Sequence, residues 1–281
     1  MITALLGLVG AVIYGASDFF GGMGARGMSA IRVTALNSVT GLVLLVTAGL
    51  ILPIRWSGSV LLFGALAGVA GSLALVLLYG CLAIGPMSIL SPIMALVAAV
   101  VPISIGFARG ERLSTAGYTG LVVGLVAVIM ICFVPGTRVV RPSTRGIVMA
   151  IGAGLSVGAY LVFIDLTPSD SGPAPLVVTF LVTAIVMGGI LLGQRLRRPF
   201  PPAPRSAVLF ALACGVTDAL AAFLFLLALR SGDLSVVSVL NVLAPAGTIV
   251  LAAIVLRERI AVVQWIGLVV ALVAAGLLAL A

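Results

Sequence analysis

An aspartate inside an uninterrupted apolar run is the first residue here with chemistry to explain. Asp218 stands near the middle of the run 206–229, where an ionised carboxylate costs at least roughly 2.5–3.5 kcal/mol on membrane-insertion scales. At helical spacing its neighbours are Cys214, Gly215 and Ala222, with Ala211 one turn further. So small and weakly polar a face points into a bundle and not at lipid. There the carboxylate could bind a substrate ammonium group or carry a coupled proton. The structural alternative is an acid that merely ties helices together by hydrogen bonding, for instance near Thr217. The chain has no histidine and no lysine, so any side-chain proton relay depends on acids.

Asn241 and Pro245 form a second polar constellation in another apolar run. Proline donates no backbone hydrogen bond, so Pro245 leaves the carbonyl of Asn241 free, and Pro92 and Pro102 do the same for Ser88 and Ala98. An amide, a hydroxyl and unpaired carbonyls at mid-span make a binding surface, or else a structural kink satisfied by neighbouring groups. Tyr14 and Tyr160 each lie near the middle of a run and offer an aromatic face with a hydroxyl handle; packing with one hydrogen bond is the plainer reading, and Asn37 has the same standing. Asp18 is expected to pair with Arg26 or Arg32 at a membrane face, with a gate role as the alternative. Glu111 and Glu258, flanked by Arg112 and Arg259, read as structural turns in which a carboxylate complements the dipole of the helix that follows.

The elements holding these residues follow from composition. Of 281 residues 63% are hydrophobic and only 8% charged, and mean hydropathy is +1.39, against about 25% charged in soluble domains. The missing water-facing surface must face lipid. Backbone amides there must be paired internally, and long, evenly apolar runs without strand alternation select helices. About ten spans of about 20 residues fit: 2–22, 30–52, 59–83, 87–108, 115–134, 146–166, 175–193, 206–229, 234–256 and 261–280. Trp56, Tyr118 and Trp265 fall at span ends, as interfacial aromatics do. The net charge of +8 comes from arginines set singly or in short groups between spans, which fits lipid headgroups and topology, not nucleic acid. Cys81, Cys132 and Cys214 show no metal-ligand spacing, and no metal or cofactor is expected. Alternate loops divide the arginines unevenly. Arg26, Arg32, Arg138, Arg141, Arg145, Arg195, Arg197, Arg198, Arg205, Arg257 and Arg259 share one side, and Arg55, Arg109, Arg112 and Arg230 the other. By the positive-inside rule the arginine-rich side is cytoplasmic and both termini face outward.

The chain also repeats itself at a shift of 147 residues. Gly68-Val69-Ala70-Gly71 matches Gly215-Val216-Thr217-Asp218, Glu111-Arg112-Leu113 matches Glu258-Arg259-Ile260, and Gly120-Leu121-Val122-Val123 is identical to Gly267-Leu268-Val269-Val270. Gly15-Ala16 matches Gly158-Ala159 at a slightly different shift. The expected organisation is a first five-helix repeat over 1–134, a linker over 135–145 and a second repeat over 146–281. An odd number of crossings inverts the second copy, the arrangement that supports alternating access around a midplane site. Asp218 breaks the symmetry, since its counterpart is Gly71. The pairs Gly64/Gly68, Gly120/Gly124, Gly154/Gly158 and Gly189/Gly193 permit close helix contact within one chain or between two, leaving monomer and homodimer both open.

The paired Gly-Glu-Arg-Leu and Arg-Glu-Arg-Ile turns, the segment Tyr14-Gly15-Ala16-Ser17-Asp18-Phe19 and the Gly85-Pro86-Met87-Ser88 start of the fourth span resemble the drug/metabolite transporter superfamily, in particular its EamA-type ten-helix exporters. The resemblance implies secondary active export of a small metabolite, amino acid-like or drug-like, across the cell membrane. It also implies a central cavity beside the fourth and ninth helices, and for some members cytoplasmic termini, against the arginine count. A proton gradient is the simplest drive, and no phosphate-binding loop for ATP is present. An importer of the same fold, a membrane enzyme acting on a lipid-linked substrate and a non-transporting scaffold are the rival readings.

Overall fold

Runs this apolar can bury their backbone only as helices. The computed structural model describes residues 2–84, 87–132, 143–196, 202–255 and 261–280, and there the chain is helical with short connections. Five helices make the first half: α1 (Ile2–Ala25), α2 (Ala30–Gly49), α3 (Gly58–Ile84), α4 (Met87–Ala108) and α5 (Thr115–Cys132). The second half holds α6 (Thr144–Asp165), α7 (Ala174–Arg195), α8 (Arg205–Ser231), a divided span made of α9 (Leu234–Val242) and α10 (Ala244–Val255), and α11 (Val262–Leu278). Six of these helices are long and apolar enough to cross a bilayer by length and composition, and four shorter apolar helices complete the bundle. The chain is an all-α multi-pass membrane protein of about ten spans.

The helix contacts obey an exchange rule. If α1 to α5 correspond to α6, α7, α8, the α9–α10 pair and α11, every major contact has a partner: α1 on α8 mirrors α6 on α3, α3 on α7 mirrors α8 on α2, and α4 on α6 mirrors α9 and α10 on α1. The match extends to single atoms. A Cβ on Gly215 would lie 2.6 Å from Thr40 Cβ and 2.7 Å from the Asn37 carbonyl; one on Gly68 would lie 2.7 Å from Val182 Cβ and 2.8 Å from the Thr179 carbonyl. Glycine is required at both because the neighbouring backbone fills the space of a side chain.

Polar contacts at the helix ends fix the direction of each copy. The Thr3 hydroxyl donates to the Ser231 carbonyl, Ser114 to the Leu280 carbonyl, and Arg109, just past α4, pairs with Asp165 at the end of α6. Arg55, before α3, pairs with Asp170 just past α6. The start of α1 and the end of α6 therefore lie on one face, here the terminal face, and the second copy is inverted. The opposite, arginine-rich face holds the ends of α1 and the start of α8, where Gly27 meets Pro204 and Ala207.

Several expectations change. Pro102 does not interrupt α4, which runs through it to Ala108; the Ala98 carbonyl instead lies close against Gly158 of α6. The ninth span does divide, at Leu243, two residues before Pro245. Glu111 does not serve the helix that follows it. Ser114 caps α5 through the Gly117 N–H, and Glu111 reaches into the other half, accepting hydrogen bonds from the backbone N–H of Leu234 (3.1 Å) and Ser235 (3.2 Å) and from the Ser235 hydroxyl (2.6 Å). The first half thus caps the first helix of the divided span. Arg112 is exposed beside it. The side chains of Ser88 and Pro92, and all of Glu258 and Arg259, lie outside the described residues. Of the small-residue pairs, three pack inside the bundle, whereas Gly189 and Gly193 have no atom near a Cβ position.

Candidate functional site

Helical geometry decides which way α1 and α8 point their polar residues. At 3.6 residues per turn, the exposed Leu5, Val9 and Val12 share the outer face of α1, and Tyr14, Asp18 and Gly22 lie on the opposite side. That inner stripe opens progressively: Tyr14 is half-buried, Asp18 and Gly22 are exposed, and Arg26 is exposed at the arginine-rich face. Exposure on a face turned away from lipid marks a hollow open towards that side. On α8 the exposed Leu209, Val216, Leu220 and Leu227 define the lipid face, and Asp218 lies opposite, in line with the buried Cys214 and Ala222.

Asp218 and Asn37 are the centre of the site. The Asn37 amide donates from Nδ2 to Asp218 Oδ2 at 2.9 Å, joining α2 to α8 at the point where Gly215 lets the two helices touch. Asn37 is only 7% exposed, and its Oδ1 is buried with no hydrogen-bond partner among the described residues. Buried polar atoms are nearly always satisfied, so this acceptor stands out. On the neighbouring turn the Ser17 hydroxyl of α1 contacts the Cys214 carbonyl at 3.2 Å and its sulfur at 3.3 Å, which locks α1 to α8 beside Asp218.

Tyr14 and Tyr160 meet. Their side chains come within interaction range of each other and of the Asp218 charge; Tyr14 also packs on Phe225 with ring centroids 5.4 Å apart. The two tyrosines stand near the middle of α1 and α6, helices that correspond in the duplication, so the cluster lies where the two copies meet. Gly71, the counterpart of Asp218, faces Tyr160: a Cβ there would have only Tyr160 Cδ2, at 3.9 Å, as a neighbour. Where the second copy places a carboxylate, the first leaves room. Asp18 shares this hollow, interacting electrostatically with Asp218. The two described ion pairs lie on the terminal face.

The structure thus gathers Asp218, Asn37, Tyr14 and Tyr160, and adds Asp18 and Ser17, whose share in the site the sequence does not reveal. Asn241 is not hydrogen-bonded to this group among the described contacts. It is half-buried in a helix whose residues 234–240 are all buried, so it borders the bundle interior separately. A cleft of about 180 Å³ on the terminal face, between Leu52, Pro53, Gly172, Phe223 and Arg230, is apolar and shares no residue with the cluster. The described residues hold no group of three or more His, Cys, Asp or Glu able to bind a metal ion.

The family model described as the EamA-like transporter family matches residues 144–280. A solved structure described only as the crystal structure of a protein matches 99% of this chain and 98% of its own, with a TM-score of 0.79 and 19% sequence identity. At that identity the likeness is one of fold. No curated protein is significantly similar to the chain.

Proposed function

We propose that this chain, whose residues 144–280 match the EamA-like transporter family, is a secondary active transporter that exports a small metabolite across the cytoplasmic membrane by alternating access. The family match supports a membrane transporter of small molecules; the site, direction and coupling are our reading. The observation that carries it is the carboxylate–amide pair Asp218–Asn37 held at mid-bundle between two inverted copies, beside Tyr14 and Tyr160, one from each copy.

Among the described residues the terminal face is fastened and the inner stripe of α1 is exposed towards the other face, which fits one of the two states of a carrier. Glu111 fastens α9 on the terminal face, with Arg109–Asp165 and the Arg230–Thr167 hydrogen bond alongside. The Asp18–Gly22 stripe leaves the other end open. With the arginine-rich face in the cytoplasm, this is the loading state of an exporter. Glu111 and Ser235 have Glu258 and Ser88 as their counterparts in the repeat, so the same clasp is written into the sequence for the other face. Asp218 is the group on which a coupled proton would travel, since a fixed charge in a span is costly to carry through a conformational change.

The test works without the substrate having been identified. Vesicles containing the purified chain are loaded with a small-metabolite extract, and the losses are followed by mass spectrometry with and without an inward proton gradient. One or more components should leave through the wild type and not through Asp218→Asn, whose helical content and assembly should be unchanged. Equal release by both proteins would remove Asp218 from the mechanism, and release of nothing would end the carrier reading.

A further inference from the structure

The atoms at the centre of the site restrict what it can hold. We propose that the site takes an organic ammonium ion bearing N–H groups and an apolar, ring-sized body, and rejects the zwitterionic amino acid of the same skeleton. This rests on the carrier reading above and specifies its substrate class.

Apart from the tyrosine hydroxyls, the polar groups presented there are acceptors. Asp218 presents a carboxylate whose described hydrogen bond comes from Asn37. Asn37 spends its amide N–H on that carboxylate and is left with an oxygen that is buried and has no donor among the described residues. A second carboxylate, Asp18, lies in the same hollow towards its open end. The unpaired amide oxygen is an observation independent of the two acids, and it identifies the missing partner as a hydrogen-bond donor. An ammonium group supplies charge for the carboxylate and N–H for the amide oxygen from one atom. Asp18 near the opening raises the local concentration of cations.

The remaining walls fit an apolar body. Tyr14, Tyr160 and Phe225 offer ring surface next to Asp218, where an ammonium group gains a cation–π contact. Gly71 leaves space against Tyr160 for the rest of the molecule. A substrate carboxylate would meet Asp18 and Asp218, both of its own sign. On α8 the arginines are at the two ends, Arg205 and Arg230, roughly 18–20 Å along the axis from Asp218, α1 has no arginine within Ile2–Ala25, and Arg32 of α2 stands five residues before Asn37.

The full-length chain is purified in detergent and binding measured by calorimetry for three probes: phenethylamine, phenylalanine and phenyltrimethylammonium. Phenethylamine should bind at least about tenfold more tightly than phenylalanine. Phenyltrimethylammonium keeps the charge and ring but has no N–H, and should bind about tenfold more weakly than phenethylamine, the worth of one charge-assisted hydrogen bond. Asp218→Asn should weaken phenethylamine by about tenfold or more. Asn37→Leu should weaken phenethylamine and leave phenyltrimethylammonium nearly unchanged, which a merely structural role would not produce. The wild-type selectivity needs no variant, so the proposal stays testable even where a substitution prevents folding. Phenylalanine binding as well as the amine, above all if Arg32→Gln abolishes it, would overturn the assignment, as would no binding of phenethylamine. The carrier reading is judged separately: a zwitterion or anion leaving the loaded vesicles through wild type but not Asp218→Asn sustains transport while refuting the ammonium class.

Discussion

Asn37 spends its one described side-chain hydrogen bond on holding Asp218 and leaves its oxygen unpaired. Losing a buried hydrogen bond to a charged group costs about 1.5–3 kcal/mol. Asn37→Ala should therefore reduce transport by on the order of tenfold or more, while the purified variant keeps its helical circular dichroism; unaltered transport would show that the pair is only packing. Asp218 is legible in the sequence because a charge in an apolar run is conspicuous. Its partner is not: Asn37 lies 181 residues away, and an asparagine in a span has many possible uses. The meeting of Tyr14 and Tyr160 is half legible, since the duplication makes their helices correspond but does not say that the two side chains approach each other. Asp18 reads from the sequence as an interfacial partner for arginine or as a gate, and its approach to Asp218 is what the distance from the membrane face along α1 does not reveal.

Helices in this bundle are joined where glycines let backbones touch, and the tightness of each contact predicts its tolerance. A Cβ at Gly15 would run into the backbone of α10, with the Thr248 nitrogen at 2.5 Å, whereas Gly22 on the same helix has nothing near it. Gly15→Val should lower the melting temperature by an amount at or above the roughly 1–3 kcal/mol typical of overpacking, and Gly22→Ala should leave it unchanged. Equal effects in a thermal melt would contradict the α1–α10 contact. At the start of α9, Asp233 occupies the N-cap position without a side-chain cap bond, because Glu111 already serves the first two N–H groups. Burial first, and then the charge of Glu111, raise the Asp233 pKa above the ordinary carboxylate value. A carboxyl raised in this way contributes most to stability below its unfolded-state pKa and loses that contribution as pH rises through the folded-state value. Asp233→Asn, an equally good N-cap, should thus melt slightly higher than wild type at about pH 7 and lose the advantage near pH 4. The side chain is exposed, so screening keeps the effect small; a variant less stable at neutral than at acidic pH, relative to wild type, would reverse the sign. The capping of α9 by the other half cannot be foreseen from a turn motif, since a local reading assigns a carboxylate to the helix that follows it in the chain. Pro245 stands beside a broken helix and Pro102 within a continuous one for a similar reason: the freed carbonyl is accommodated or not by neighbours the sequence does not name.

Over the whole molecule, two copies of one five-helix plan face opposite ways, and this is the feature most plainly legible in the sequence. A repeat with an odd number of crossings has no other way to lie in a membrane, and the exchange of helix contacts and the ion pairs at the terminal face agree with it. What the sequence does not show is the contact of Glu111 with Ser235 across the two halves, or the exposure of Asp18 and Gly22. Both copies carry the clasp residues, so composition alone does not distinguish the two faces.

Carriage by alternating access requires the mid-bundle hollow to open to each side in turn. Gly71 allows this to be tested without a substrate, because a side chain there meets only Tyr160, at 3.9 Å. With Cys81, Cys132 and Cys214 replaced by alanine, Gly71→Cys would be exposed to a membrane-impermeant maleimide in sealed vesicles of each orientation. Labelling is expected from both faces, faster from the arginine-rich one; labelling confined to that face at every time and temperature would contradict alternating access.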